Sequence, residues 1–464
     1  MAGKKTKRNR AYFNQLLAGI AMGISACGMT FAMNFPTFGV PSMEKDDSFS
    51  TSPDDLRLIG SIVPAGAMVG NFLAGMLVDN IGRKMTMMAG AVLCLIAYVL
   101  LACAPSVALA LVSRAVSGVA ASLAAIGGMI YTTEIVHPKV RDRIGSVSGI
   151  LANLGMLIAF MSGSVVEWRG MAWIGVALSL PFFFILMYLQ ESPNYLIKKG
   201  RRDEARQVLL NYRESATEAI KEYEELLQAT NKASKSTASP KDLFSAPYIT
   251  PLLTCLILQI AQQLTGITGI TNKAVTIFSM LGTSIDPAYC TVMIAIVSMI
   301  TAVLTSEINA RFERKPTLLV STVFMAMAQV CVGFFLLAKS SGGPLGEWAD
   351  ANSILALGSV LFFYIAFGAG LGPMPWIYMG EGIPSKIRGP ASAISMTLSM
   401  LSIFVVLQLF DPLIEYFGFH YCLMILAVAS SSATFLALSI MLETKGKTVS
   451  QIDKHYLDLE KKRN

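Results

Sequence analysis

Apolar runs of twenty residues or more, nearly free of charge, recur along the chain between short polar breaks. One of them is MTMMAGAVLCLIAYVLLACAPSVALALVS at 85–113. A run this long crosses a hydrocarbon core as a helix, because its backbone N–H and C=O groups must find partners within the segment. The pattern predicts twelve spans, at 11–34, 55–78, 85–105, 107–133, 144–163, 171–189, 248–281, 287–310, 316–338, 353–380, 387–410 and 419–442. The fold class it implies is an all-α membrane protein of two six-helix bundles.

One long polar segment, 190–247, separates the sixth span from the seventh. Within it, RRDEARQVLLNYRESATEAIKEYEELLQA (201–229) mixes charges at helical spacing and predicts two surface helices. TNKASKSTASP (230–240) then reads as a Ser/Lys-rich linker. The expected organisation is an N-tail (1–10), a first bundle (11–189), a cytosolic helical segment (190–247), a second bundle (248–442) and a C-tail (443–464).

Charge placement orients the bundle. The chain is 54% hydrophobic and 14% charged, with a formal net charge of +7. With both ends in the cytosol, 31 of its 37 Lys and Arg fall in cytosolic segments, all but Lys45, Arg57, Arg114, Arg169, Lys273 and Lys339. That asymmetry is the positive-inside pattern, and it accounts for the basic balance without a nucleic-acid partner. The first apolar stretch is too long for a signal peptide and has no clear cleavage site, so it reads as the first span. The seven cysteines stand singly with no CxxC, and the three histidines join no His/Cys cluster, so no metal or other cofactor is expected. The absence of a nucleophile–base pair argues against an enzyme.

The two halves repeat weakly. DNIGRK (79–84) and ARFERK (310–315) follow the second and eighth spans, while YTTEIVHPKVR (131–141) and YMGEGIPSKIR (378–388) close the fourth and tenth. In the first of these, Gly82 permits a tight turn and Asp79 is placed to cap the third span. Asp79, Arg83, Glu134, Arg141, Arg314, Glu381 and Arg388 form a candidate cytosolic latch, carboxylates facing guanidiniums; the alternative is ordinary solvated loop charge. GAGLGPMPW (368–376) predicts a kinked, flexible tenth span with Trp376 offering an apolar face at the break.

The least expected stretch is AQQLTGITGITNK (261–273), which places two glutamines and a lysine inside an apparent span. Polar groups at membrane depth are costly and mark functional sites. Glutamine amides both donate and accept hydrogen bonds, which suits a polyhydroxyl solute.

Together DNIGRK, RAVSG (114–118), YTTEI, ESPNYLIKKGR (191–201), QQLTGIT, GLGPMPW, EGIPSKIRG and ETKGK (443–447) resemble the sugar porter family of the major facilitator superfamily. The resemblance covers nearly the whole chain. PDDLRLIGSIVPAGAMVGNFLAG (53–75) is most similar to insect-type facilitated trehalose and hexose transporters. It implies alternating access, with a neutral carbohydrate bound between the halves by Gln262, Gln263, Thr268, Asn272 and Trp376, and also by Asn153 and Ser399. It further implies a monomer in the plasma membrane.

The chain departs from that family at several positions. Thr268 replaces an asparagine, Asn272 and Lys273 an outer aromatic pair, Gly149 a glutamine, and Ser399, Met400 and Ile403 the usual Asn, Trp and Asn. ARFERK lacks the family's Asp and Gly, carrying Ala310 and Glu313, and Asn194 and Tyr195 replace an Arg and a Trp. Shorter side chains at 149, 268 and 399 leave room for a disaccharide. The same losses are compatible with a non-sugar or anionic solute, or with a nutrient sensor that no longer transports. Lys273 is a candidate outer-gate residue, its stem snorkelling to the outer water and its charge tuning the gate or attracting an anion. The first span has no Asp or Glu, and the in-span acids Glu134, Glu307 and Glu381 lie at cytosolic ends. This predicts uniport rather than proton coupling.

Overall fold

The computed structural model describes residues 2–233, 243, 245, 248–384, 386–447 and 449–463, excepting the side chains of 2–10, 139, 141–143, 146, 229–233, 306, 449–450 and 459–463. Most of the linker read at 230–240, and the side chain of Arg141, lie outside the described residues. Among those described, every regular element is a helix.

In chain order they are α1 (Ala2–Asn34), α2 (Pro36–Glu44), α3 (Pro53–Asn80), α4 (Arg83–Ala102), α5 (Val107–Ile135), α6 (Pro138–Gly163) and α7 (Trp168–Tyr188). The polar segment supplies α8 (Pro193–Lys198), α9 (Arg202–Tyr212) and α10 (Ala216–Ala233). Beyond it come α11 (Ile249–Leu264), α12 (Ile267–Asn272), α13 (Ala274–Leu281), α14 (Pro287–Arg311), α15 (Arg314–Ser341), α16 (Gly343–Ala351) and α17 (Ser353–Ala369). The last are α18 (Met374–Glu381), α19 (Arg388–Phe417), α20 (Phe419–Ile440) and α21 (Val449–Arg463). Among the described residues, 11 stretches are long and apolar enough to cross a membrane, and Val147–Gly163 is a shorter apolar helix, matching the twelve spans read from the sequence.

The chain divides into two compact units. The first is Met1–Met33, Ala65–Ala159 and Val166–Thr237; the second is Asn34–Pro64, Phe160–Val165 and Ala238–Asn464. The second therefore includes α2 and the first part of α3.

In the first unit, α4 packs closely on α5 and α7. Small residues make this possible: a Cβ added to Gly90 would meet the Ala120 carbonyl at 2.8 Å. A buried apolar cluster continues from Met87, Ala91, Phe182 and Leu186 on the spans to Leu196, Ala205, Val208 and Tyr212 on α8 and α9. These short helices are thereby anchored to the bundle. In the second unit, α15 packs on α17 and α20, and α11 on α19 and α20.

Four details differ from the sequence reading. The first span does not stop at residue 34 but carries on through α2 to Glu44. The seventh is not one continuous helix: it breaks at Thr265–Gly266 and again at Lys273. The eleventh runs to Phe417, which brings Asp411 and Glu415 into the helix. Asp79 does not cap α4: α3 continues through Asn80, the N-cap is Gly82 at φ 104°, and Asp79 instead pairs with Arg83 and Lys198. Only glycine takes that backbone conformation without steric cost.

Candidate substrate site and gates

The breaks in the seventh and tenth spans are stable because side chains take over the freed backbone groups. Gly266 adopts φ 70°, which ends α11. Thr265 Oγ1 donates to the Gln262 carbonyl at 2.7 Å and accepts from Ile267 N at 3.1 Å, while Gln329 Nε2 donates to the Thr265 carbonyl at 2.7 Å. In the tenth span, GLGP separates α17 from α18. The carbonyls exposed there are met by Ser321 Oγ (Ala366 O, 2.7 Å), Thr305 Oγ1 (Gly368 O, 2.8 Å) and Gln262 Nε2 (Gly372 O, 2.5 Å). Irregular backbone is tolerated at membrane depth only with such compensation.

Gln262 thus belongs to a polar relay joining the two breaks. Thr268 Oγ1 donates to Gln263 Oε1 at 3.2 Å, Gln263 Nε2 to Gln262 Oε1 at 3.1 Å, and Gln262 to Gly372. Both amides are 5% exposed. Three of the residues singled out in the sequence therefore sit together in one hydrogen-bonded row.

The other candidates are more dispersed. Trp376, on α18, is 39% exposed. Ser399 is fully buried on α19, and among the described residues its Oγ has no hydrogen-bond partner. Asn272 lines a cavity of about 430 Å³ with Oδ1 likewise unpartnered, a volume in the range of small-molecule sites. Asn153 lies on α6 of the first unit, donating to the Gly149 carbonyl at 3.1 Å, and a Cβ at Gly149 would meet only open space.

Of the residues read as a candidate latch, Arg83 and Glu134 meet in the first unit and Arg314 and Glu381 in the second, in matching networks. In the first, Arg83 forks onto Glu134, with Nε–Oε2 and Nη2–Oε1 both 2.9 Å, and Ser192 Oγ donates to the same carboxylate. In the second, Arg314 forks onto Glu381 at 3.3 and 2.9 Å, and Thr444 Oγ1 donates to it at 2.7 Å. Arg388 donates to the Ile383 carbonyl at 3.0 Å.

Two further acids complete the repeat, and the sequence reading passed over them. Glu191 accepts from the backbone N–H of Arg83 and of Lys84 at 3.1 Å, capping α4. Glu443 accepts from Arg314 and Lys315 at 3.0 Å, capping α15. Negative charge at a helix N-terminus is favourable on both counts, hydrogen bonding and dipole. The signal was present as Glu191–Ser192 and Glu443–Thr444, an acid followed by a hydroxyl after the last span of each half. Burial raises the Glu191 carboxyl above its ordinary range against the pull of its backbone donors and Arg83. Burial acts the same way on Glu443, but N–H donors from Lys315, Lys445, Arg314 and Thr444 outweigh it and leave that carboxyl lowered.

Lys273 does not simply snorkel. Its Nζ lies 3.0 Å from Asp411 Oδ1 on α19, and Arg57 of α3 approaches Asp411 at 3.9 Å and Glu415 at 3.7 Å. Glu44 is also on the cavity wall, and Asp54 lies 3.3 Å from Arg57. The reading that in-span acids occur only at cytosolic ends is corrected by Asp411.

Comparison with known proteins agrees with this architecture. A facilitated trehalose transporter Tret1 of Culex quinquefasciatus is 30% identical over 448 residues, spanning 95% of this chain and 86% of that protein. The Tret1 of Aedes aegypti is 29% identical over 448 residues, but the match spans only 55% of its length. The inward-open structure of the xylose transporter XylE from E. coli superposes with a TM-score of 0.76 at 21% identity, over 95% of this chain and 100% of that one, which shows the major facilitator fold. The family model described as sugar (and other) transporter matches residues 11–456, and with the broken spans, duplicated Arg–Glu forks and fold all in agreement, the chain belongs to that family.

Proposed function

We propose that this protein is a facilitative carrier of a neutral carbohydrate, trehalose or a hexose, working by alternating access in the plasma membrane with both termini cytosolic. The observation that carries the reading is the Thr268–Gln263–Gln262 relay, which ends on a carbonyl of the broken tenth span. Uncharged amides next to flexible backbone suit a polyhydroxyl ligand: they exchange hydrogen bonds with it without the cost of burying an unpaired charge. The relatives named as trehalose transporters support the disaccharide, as do the short side chains at 149, 268 and 399.

Gln262, Gln263, Thr268, Asn272 and Trp376 would contact the sugar, with Asn153 and Ser399 as outlying partners. The two Arg–Glu forks with Asp79, Arg141 and Arg388 would form the cytosolic latch, and 190–247 the cytosolic segment that steadies it. Uniport is supported by the first apolar run, residues 11–34, which holds no Asp or Glu. The test is uptake by liposomes holding the purified protein. Trehalose or glucose should equilibrate and stop at the external concentration. Binding without flux would favour a sensor instead.

A further inference from the structure

The outer part of the seventh span has the form of a strap. Residues 267–281, comprising α12 and α13, lie between two left-handed glycines, Gly266 at φ 70° and Gly282 at φ 61°. Among the described residues few side-chain ties hold it, Thr268 to Gln263 at 3.2 Å being the first. Thr271 accepts from Thr37 Oγ1 at its carbonyl (3.1 Å) and meets Tyr364 at its hydroxyl (2.8 Å); Lys273 pairs with Asp411. Asp411 is also approached by Arg57, and one turn before it Gln408 Nε2 donates to Ser61 Oγ of α3 at 2.8 Å. Asp411 therefore stands where the strap, α19 and α3 are tied together.

We propose that Asp411, gripped by Lys273 and Arg57, is a gating residue: the pin of an ionic outer latch that parts each time residues 267–281 move. The inference rests on the transport reading above and assigns its outer gate to a charge pair. Solvation makes the pair suitable for repeated breaking. The side chains of Lys273, Arg57 and Asp411 are 39%, 21% and 22% exposed, and all three line the cavity of about 430 Å³. Water replaces each contact as it breaks, so the tie is weak and reversible, unlike a fully buried pair. Dissolved salt reaches and screens it.

The test reads gate opening directly. Leu407 lines the same cavity but is only 9% exposed, so with the native cysteines replaced by serine, exposed Cys103 and Cys331 among them, a cysteine placed there reports opening to an impermeant thiol reagent applied from outside. In that background, Lys273→Met and Asp411→Asn should each label about two- to fivefold faster, the size expected of a partly exposed pair. The exchange Lys273→Asp with Asp411→Lys should return labelling toward the parent rate. Raising salt from about 50 to about 500 mM should speed labelling of the parent more than of the single variants, least of all Asp411→Asn, which loses both contacts. Unchanged labelling in the singles, or an exchange no slower than they are, would overturn the latch. Should the variants fail to fold, the parent's salt series decides alone: a flat response is fatal to the proposal. Because labelling needs no flux, a failure of the transport reading stays distinguishable from a failure of the latch.

Discussion

Arg83 holds Glu134 through two parallel hydrogen bonds of 2.9 Å, and the side chains are only 10% and 12% exposed. Its counterpart is looser: Glu381, gripped by Arg314, is 37% exposed. The same chemistry in two solvent environments should differ in strength. Removing one partner of a buried pair leaves the other charge uncompensated, at about 3 kcal/mol, whereas solvent relieves an open one to about 1 kcal/mol. Arg83→Met, which orphans Glu134 at 12% exposure, should therefore lower the thermal unfolding midpoint of the purified protein clearly more than Arg314→Met, which orphans Glu381 at 37%. Equal effects, or the reverse order, would show that exposure does not set the strength of these forks.

The break in the seventh span predicts a contrast between glycines. Gly266→Ala forces a left-handed alanine, costing about 1–2 kcal/mol, and its Cβ would come within 2.6 Å of Leu426 Cδ1. Gly149→Ala faces open space on a helix and should gain about 0.5–1 kcal/mol. Unfolding curves of the two variants should move in opposite directions.

The relay predicts a functional phenotype on top of a stability cost. Gln262→Ala removes the donor to Gly372 and one hydrogen bond to the proposed sugar. Each such bond is worth about 1 kcal/mol, so apparent affinity of the folded protein should fall roughly fivefold, while the orphaned Gly372 carbonyl lowers the unfolding midpoint as well. Concentration-dependent uptake checks this, and normal uptake would move the site elsewhere.

The two helix-capping acids should respond to pH in opposite senses. Burial raises Glu191, so the folded protein binds its proton more tightly than the unfolded chain. Its stabilising contribution is present below the unfolded pKa and is lost as pH rises through the folded one. Glu443 is lowered on balance, burial being outweighed by its backbone donors. Its contribution is present above the unfolded pKa and is lost as pH falls through the folded one. Unfolding midpoints scanned across the acid range should lose the decline with rising pH in Glu191→Gln, and the decline with falling pH in Glu443→Gln.

Particular residues show what could be read in advance. The spans were legible because apolar length is a one-dimensional property, and Gln262 and Gln263 stood out because an amide at membrane depth must find a hydrogen-bond partner. Glu191 and Glu443 were harder to see: each looks like solvated loop charge until the fold brings it to α4 or α15. Asp411 lies just past the last strongly apolar residues of its span, so hydropathy ended that helix early and hid the partner of Lys273. Gly266 was visible, but nothing local distinguishes a packing glycine from one at φ 70°.

The central claim is passive carriage of a neutral sugar. It is tested most directly by trehalose and glucose uptake into liposomes containing only this protein, with and without an imposed pH gradient. The account predicts entry to the external concentration at a rate the gradient does not alter. Accumulation above that concentration under the gradient, or no sugar entry at all, would contradict it.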